Sequence, residues 1–404
     1  MKKILAILLT LVMVLSLAAC GSKTGKEEGS EEYKNIKVGL ICLHNEQSTY
    51  DKNFIDAMKE TCKQLGIPED RMIIVTGIDE SDACKKAALD LVDRGCNIIF
   101  ADSFGHEDYM IQAAKECPNV QFCHATGTRA HTEGLSNYHN AFASIYEGRY
   151  AAGVAAGLKL NEMIESGKIT ADKAVMGYVG AYTYAEVVSG YTSFYLGAKS
   201  VCPSVTMKVQ FTGSWYDETA EKEAAEKLIN AGCVLISQHA DSMGAPTACE
   251  KAGVPNVSYN GATVSACPNT FIVSSRINWS PYYKYAIDCV KNGQAIKADW
   301  TGGFAEGSVE LSAINEKAAA AGTQAKVDAV VADLKAGKIK VFSTDTFTKG
   351  GSKLTSYMAD IDSDKDYTPD TEVIKDGYFH ESEFRSAPAF DIQIDGIELL
   401  NSAF

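Results

Sequence analysis

The 404 residues carry a formal charge of −14, with 46% hydrophobic and 22% charged side chains. That is the make-up of an ordinary globular protein, long enough for two domains. It is too acidic to grip nucleic acid or an anionic membrane surface, and past the first 21 residues no stretch approaches 18 consecutive apolar residues, which excludes a second membrane segment.

Lys2 and Lys3 open the chain, an apolar run follows from Ile4 to Leu15, and the segment closes on Leu17-Ala18-Ala19-Cys20-Gly21. The run has signal-peptide length and is too short to span a bilayer comfortably. Its end resembles a bacterial lipobox, in which the cysteine is diacylated and becomes the new N-terminus. Residues 1–20 are therefore expected to be a lipoprotein signal peptide and Cys20 the lipidation site, with an uncleaved signal anchor as the alternative. Residues 21–35, built of Gly, Ser, Thr, Lys and Glu for the most part, have little to bury and suit a flexible tether. The expectation is a body held by lipid on the extracytoplasmic face of the cell membrane, where ATP-driven or NAD-driven chemistry has no supply.

From residue 36 short runs rich in Val and Ile alternate with stretches of helical period, the pattern of parallel strands and crossover helices. Strands are expected at Ile36–Cys42, Met72–Val75, Cys96–Ala101 and Val120–His124, with helices at Asp51–Leu65, Ser81–Arg94 and Glu107–Glu116 between them. Gly66 and Gly95 sit where helix C-caps belong. A small-residue helix, Ile145–Leu160, leads into a second series: strands Ala174–Val179, Thr206–Phe211, Cys233–Ser237 and Asn256–Tyr259. Helical stretches near Glu186–Ala198, Thr219–Ala231 and Ala245–Ala252 separate them, and a strand Phe271–Asn278 and a helix Pro281–Lys291 follow. The α/β pattern thus occurs twice, which predicts two doubly wound lobes with a cleft between them. Lobe one is expected to hold residues 36–144 plus about 275–330, and lobe two residues 145–274 plus about 331–404. From about Lys340 the chain is polar and turn-rich, with strand-like pieces near Phe342 and at Ile392–Leu399, and is expected to lie across the hinge or along a lobe.

Twelve cysteines are unusual; with Cys20 assigned to lipid, the rest are odd in number for a fully paired framework. Cys42, Cys96, Cys123 and Cys233 lie in or beside strand-like runs, and Cys62, Cys84, Cys249 and Cys289 at helix-like positions. No C-x-x-C and no Cys/His cluster of zinc spacing occurs. They read as small buried hydrophobes suited to a reducing or anaerobic setting, with one or two disulfides as the alternative.

In open α/β sheets a ligand meets the loops at the carboxyl ends of strands. The loop after the first strand brings His44 to Asp51 and then Phe54; the one after the third brings Asp102, Ser103, Phe104 and His106. In the second half come Gly213 to Asp217 with Trp215, then Gln238 to Ser242 with His239 and Asp241, then Asn260 and Gly261. Rings beside amides and carboxylates suit a flat, heteroatom-rich ligand, stacking on its faces and reading its edge. Taken singly, Phe54 and Phe104 read as core residues at element starts. The repeat of the combination at equivalent loops favours a site, since a core needs no such registry.

At these residues the chain resembles the basic membrane lipoproteins, substrate-binding components of a class of ABC importers that includes nucleoside binders. The similar stretches are Asp51-Lys52-Asn53-Phe54, residues 97–105, 117–122 and 147–153, Gly213-Ser214-Trp215-Tyr216-Asp217, Gln238-His239-Ala240-Asp241-Ser242 and Asn278-Trp279-Ser280-Pro281-Tyr282-Tyr283. The resemblance covers roughly residues 36 to 320 and implies a type I periplasmic-binding-protein fold, two Rossmann-like lobes that close on a small molecule. It implies a purine base or nucleoside as ligand, an ABC permease as partner, and neither a cofactor nor a catalytic or metal-binding residue. In the family's nucleoside-binding pattern Phe54 would stack on the purine and Trp215 would face it from the other lobe. Asn260 replaces the acidic residue that usually holds ribose hydroxyls, and a lysine common in the family is replaced near Asn278. The stretches around Asp241 and Trp279 look more like members that take a free base such as adenine, with Asp241 accepting from the ring. The implied site comprises Tyr50, Asp51, Phe54, Asp102, Ser103, Phe104, Trp215, His239, Asp241, Asn260, Asn278 and Trp279.

Two other readings compete. His44, His106 and His239, with Asp102, Asp241 and several serines, are the material for a secreted nucleoside hydrolase, although neither Gly-x-Ser-x-Gly nor His-Glu-x-x-His occurs. A lipoprotein that senses its ligand for a membrane receptor would use the same lobes. Without a Gly-x-x-x-x-Gly-Lys-[Ser/Thr] loop the chain cannot energise transport alone, and it is expected to be monomeric. Asp360, Asp362, Asp364 and Asp366 have calcium-loop spacing, but Lys365 stands where glycine is needed and Thr371 where glutamate is, which leaves a solvated acidic turn.

Overall fold

Short Val- and Ile-rich runs bury both faces only inside a parallel sheet covered by helices, and the computed structural model, which describes residues 32–361 and 368–404, pairs them in that way. The lipobox, most of the expected tether and three of the four calcium-loop aspartates lie outside the described residues. The chain runs β1 (Val38–Ile41), α1 (Thr49–Leu65), β2 (Met72–Val75), α2 (Asp82–Asp93), β3 (Ile98–Ala101), α3 (Glu107–Glu116), β4 (Gln121–Ala125) and β5 (Tyr138–Ala143). The second series is α4 (Ile145–Glu165), β6 (Val175–Gly180), α5 (Ala185–Val201), β7 (Thr206–Phe211), α6 (Glu218–Asn230), β8 (Leu235–His239), α7 (Gly244–Ala252), β9 (Asn256–Tyr259) and β10 (Phe271–Ile277). Then come α8 (Ser280–Asn292), β11 (Asp299–Gly302), β12 (Val309–Leu311), α9 (Thr323–Lys335) and, at the end, β13 (Ile397–Leu399).

One six-stranded sheet has the order β11-β5-β4-β3-β1-β2, and all its pairs are parallel. The other has seven strands, β12-β10-β9-β8-β6-β7-β13, parallel except for the β10–β12 edge. Segment 275–330 is shared between them: β11 joins the first sheet, whereas the end of β10 and all of β12 belong to the second. The chain changes lobes after β5, after β10 and between β11 and β12. Backbone hydrogen bonds tie these crossings together, from Ser144 N to Gly302 O (2.9 Å) and from Asn278 N to Ser308 O (2.8 Å).

β5 and β11 have no counterpart among the expected elements. β5 reads Tyr-His-Asn-Ala-Phe-Ala, and polar residues break its apolar run. They are buried because their side chains are engaged: His139 with Gln121 and the Lys297 carbonyl, Asn140 with the Ala130 amide. The small residues of α4 have a packing reason. A Cβ on Gly153 would stand 2.0 Å from the Phe194 carbonyl oxygen of α5, and one on Gly197 of α5 would stand 2.0 Å from the Tyr150 oxygen. Only glycine lets these two helices touch backbone to backbone. The eleven described cysteines are free thiols, all buried except the half-buried Cys117.

The C-terminal segment touches both lobes. β13 extends the second sheet beside β7, while the Ser386 amide and hydroxyl bond Asp299 of β11 at 2.8 and 2.7 Å. Within it Glu381 is buried and accepts hydrogen bonds from Ser189 and Ser382. Burial pushes Glu381, and Glu221 of α6, up to about 7 from the ordinary 4.5, against the hydrogen bonds each accepts. At these two carboxyls the folded chain binds more protons than the unfolded chain between pH 4.5 and about 7, so their own contribution to stability falls as pH rises through that window. Between about pH 5 and about pH 7.5 the melting temperature of Glu381→Gln is therefore expected to rise relative to that of the parent. Identical slopes for both proteins would remove Glu381 from this role.

Candidate ligand-binding site

The carboxyl ends of the strands of both lobes face one another across a narrow cavity, with about 370 Å³ of empty space when the part open to solvent is included. Lobe one supplies Leu43 and His44 after β1, Tyr50 and Asp51 from the first turn of α1, Ser103 and Phe104 after β3, and Thr126 after β4. Lobe two supplies Glu186 at the start of α5, Trp215 after β7, His239 and Asp241 at and after the end of β8, and Tyr259 at the end of β9. Ser48 caps α1, its side chain accepting from Asp51 N, and this places Tyr50 and Asp51 at the mouth. Tyr50 is held there by its hydroxyl, which donates to the Asp102 carbonyl at 2.7 Å.

The lobes are closed on each other. Thr49 of lobe one donates its amide and hydroxyl to the Asp241 carbonyl of lobe two, at 3.0 and 3.2 Å. Asn53 Nδ2 donates to Asn260 Oδ1 at 3.0 Å. Rings meet at the rim, His44 with Tyr216 and Phe104 with Tyr184, each pair 5.5 Å between centroids. A Cβ at Gly261 would stand 2.7 Å from Thr49 Cγ2, so a glycine there permits the approach. Thr126 and Asn260 follow strands β4 and β9 at φ +67° and +59°, a conformation that asparagine tolerates but a β-branched threonine seldom adopts. Local strain of this kind collects at binding sites, where the surrounding structure imposes it.

The electrostatics are one-sided. Among the described residues no lysine or arginine lines the cavity, while Asp51, Glu186 and Asp241 do. Burial, then the charges of Glu221, Asp51 and Glu186, push Asp241 well above the ordinary carboxylate range. Burial raises Asp51 too, but hydrogen bonds from His44 and Ser48 outweigh it and hold Asp51 below its ordinary value. Burial lowers His239, against the pull of Glu186 3.3 Å from its Nε2, and His239 packs on Tyr259 with centroids 4.2 Å apart. The arrangement offers rings to a planar molecule and, in Asp241, a carboxyl that both accepts and donates. It holds no counter-charge for an anion.

Of the residues expected from the sequence, Tyr50, Asp51, Ser103, Phe104, Trp215, His239 and Asp241 meet at this cavity. Phe54 does not line it. The ring is 2% exposed, one helical turn below Tyr50 and stacked on Trp279 at 4.2 Å, so both belong to the core beneath the site. This corrects the picture of Phe54 lying on the ligand; Tyr50 and Phe104 are the rings that lobe one presents. Phe104, 40% exposed, is not the core residue that its position alone suggests. Asp102 is fully buried behind the wall and accepts from Leu43 N. Asn260 binds Asn53 across the cleft. Asn278 accepts from Ser280 N at the start of α8 and lines a separate open groove. Glu186, Thr126 and Tyr259 escape the sequence reading because they stand outside its motifs. Tyr259 does close an expected strand, which is the one signal that could have found it.

The hydrolase alternative lacks its geometry. His106 turns Nε2 to the Ile78 carbonyl at 2.9 Å, His239 turns Nε2 to Glu186 and His44 sets Nδ1 3.5 Å from Asp51, and among the described residues no serine hydroxyl is hydrogen-bonded to any of the three rings. Among the described residues no helix is long and apolar enough to cross a membrane.

Comparison with known proteins agrees with this geometry. A relative from Brucella abortus (strain 2308), named a purine-binding protein, is 29% identical over 366 residues, covering 87% of this chain and 99% of that one. A relative from Haloferax volcanii is 32% identical over 211 residues, about half of each chain, and bears a provisional name as an ABC transporter glucose-binding protein. The solved structure of an ABC transporter solute-binding protein from Conexibacter woesei superposes with a TM-score of 0.62 at 18% identity, covering 76% of this chain and 98% of that one. The fold is thus that of the type I periplasmic binding proteins. Residues 39–343 match the family model described as Bmp, ABC transporter substrate-binding protein PnrA-like. The chain belongs to that family of non-enzymatic, solute-binding components of ABC transporters.

Proposed function

We propose that this protein captures a purine, as the free base in preference to the nucleoside, by closing its two lobes around it. The observation that carries the reading is the closed cavity itself, with Tyr50 and Phe104 on one lobe, Trp215 on the other and Asp241 between them. Aromatic rings from opposite lobes suit a flat heterocycle. A carboxyl at its edge pairs with ring N–H and amino groups, and a ligand lacking them leaves buried groups unpaired. The name of the Brucella relative supports the same class. The acid-rich lining with no cation argues against nucleotides and other anions. The commitment of Asn260 to Asn53 removes the side chain best placed to hold a ribose. The protein would hang from the membrane by lipid on Cys20 and deliver its purine to the permease of an importer. Calorimetry against adenine, guanine, adenosine, guanosine, inosine and glucose tests the reading. Micromolar or tighter binding of a purine base is expected; heat from glucose alone would overturn it in favour of a sugar.

A further inference from the structure

Two carboxylates, a thiol and an imidazole lone pair converge where β1, β3 and α1 meet, just behind the cavity wall. Cys42 Sγ and carboxylate oxygens of Asp51 and Asp102 lie within 4.8 Å of one another, and all three residues are buried. Asp102 Oδ1 accepts from Leu43 N at 3.0 Å, whereas its Oδ2 has no hydrogen-bond partner. His106, 0% exposed, sets its Nε2 2.9 Å from the Ile78 carbonyl. A carbonyl only accepts, so that nitrogen carries the proton and Nδ1 presents a bare lone pair. This Nδ1, also without a partner, lies 4.0 Å from Asp102 Oδ1. At the cavity edge the unpartnered Nδ1 of His44 lies 3.5 Å from Asp51 Oδ2. Four potential metal donors therefore gather beside a cavity whose described lining includes no lysine or arginine.

We propose that Cys42, Asp51 and Asp102, with His106 as fourth ligand, form a site for one divalent transition-metal ion of the zinc type. Mixed thiolate, carboxylate and imidazole donors suit zinc and its near neighbours, not calcium or magnesium. Tetrahedral ligands with bonds of ~2.0–2.3 Å stand roughly 3.3–3.8 Å apart, so modest contraction seats the ion among Cys42, Asp51 and Asp102, and His106, beside Asp102 but outside that group, must swing toward it to complete the shell. A histidine that donates its other ring N–H to a backbone carbonyl is oriented as metal-bound histidines are. Burial and the neighbouring acid push Asp102 well above the ordinary carboxylate range, and burial pushes the Cys42 thiol up, which favours the protonated form of each. Metal entry displaces these protons into solvent. The ion would cancel the charge of the acid pair beside Tyr50. The inference does not depend on the ligand being a purine.

The test is a Co²⁺ titration of the full chain after dialysis against a chelator. One equivalent is expected to bind with a thiolate-to-cobalt absorption band, release protons, and be displaced by Zn²⁺. Cys42→Ser should abolish the band, and Asp102→Asn should weaken binding at least tenfold with the thiol still present. Cys249→Ser in lobe two should leave both unchanged. Absence of the band at one equivalent, or its persistence in Cys42→Ser, overturns the site and leaves a proton shared between the two carboxyls. Melting curves without metal show that each variant is folded. If Cys42→Ser does not fold, the Asp102→Asn titration decides, since unchanged Co²⁺ affinity there overturns the proposal equally.

Discussion

Replacing Trp215 by alanine is expected to weaken purine binding roughly ten- to hundredfold, because base–aromatic stacking contributes ~1–3 kcal/mol per base. Trp215 is half-buried, braced edge-on by Tyr182 with centroids 5.1 Å apart, and its carbonyl accepts from Asp241 N at 3.1 Å. The backbone contact survives substitution, so the loss reports the ring. Phe54→Leu supplies the contrast. Its ring stacks on Trp279 outside the cavity, so affinity should hold within about threefold while stability falls by ~1 kcal/mol or more. Calorimetry and thermal melts on both variants check this. The sandwich is lost as an explanation if Trp215→Ala binds like the parent, and the placement of Phe54 is wrong if Phe54→Leu loses affinity without losing stability.

The second large effect concerns stability. Arg149→Ala is expected to destabilise the protein by ~3–5 kcal/mol, lowering the melting temperature by about 5 °C. Arg149 lies on α4 just past the first crossing between lobes and is 0% exposed. Its guanidinium donates to Ser237 Oγ at 2.6 Å, to the Ser258 carbonyl at 3.1 Å and to Ser275 Oγ at 3.2 Å, tying β8, β9 and β10 together beneath the site. The rings of Tyr178, Phe194 and Tyr259 surround it at 4.9–5.4 Å, taking the place of a carboxylate. Alanine removes three charge-assisted donors and leaves a hole among three rings. Arg149→Lys should rescue little, since one ammonium cannot span three acceptors held by a planar fork. A melting temperature within about 2 °C of the parent would show that the sheet needs no such clamp.

Much of the architecture is legible in the residues. Met72–Val75 is an apolar run, and Thr206–Phe211 and Asn256–Tyr259 set Val and an aromatic residue among polar ones; all three lie between helical stretches, and each forms a strand with those bounds. A parallel strand buried on both faces has little choice but to look that way. Helix limits are equally local: Ser48 accepts from Asp51 N, and Gly66 takes φ +69° at the other end of α1. β5 and β11 are hidden, since their polar residues are satisfied only by partners distant in sequence, such as Lys297 for His139 and Ser386 for Asp299.

Most of the loops that line the cleft, though not the stretches that bring Thr126 and Glu186, could be named from the chain alone, because strand carboxyl ends are where a doubly wound sheet opens. Which ring of a loop reaches the ligand could not. Tyr50 and Phe54 lie one turn apart on α1, nearly on the same face, and either could line a cavity. The choice is made by Trp279, brought from far along the chain to cover Phe54, and by the Asp102 carbonyl that holds the Tyr50 hydroxyl upward. Periodicity and capping are short-range properties carried by neighbouring residues; the orientation of a helix over its sheet depends on contacts between segments that meet only when the chain has folded.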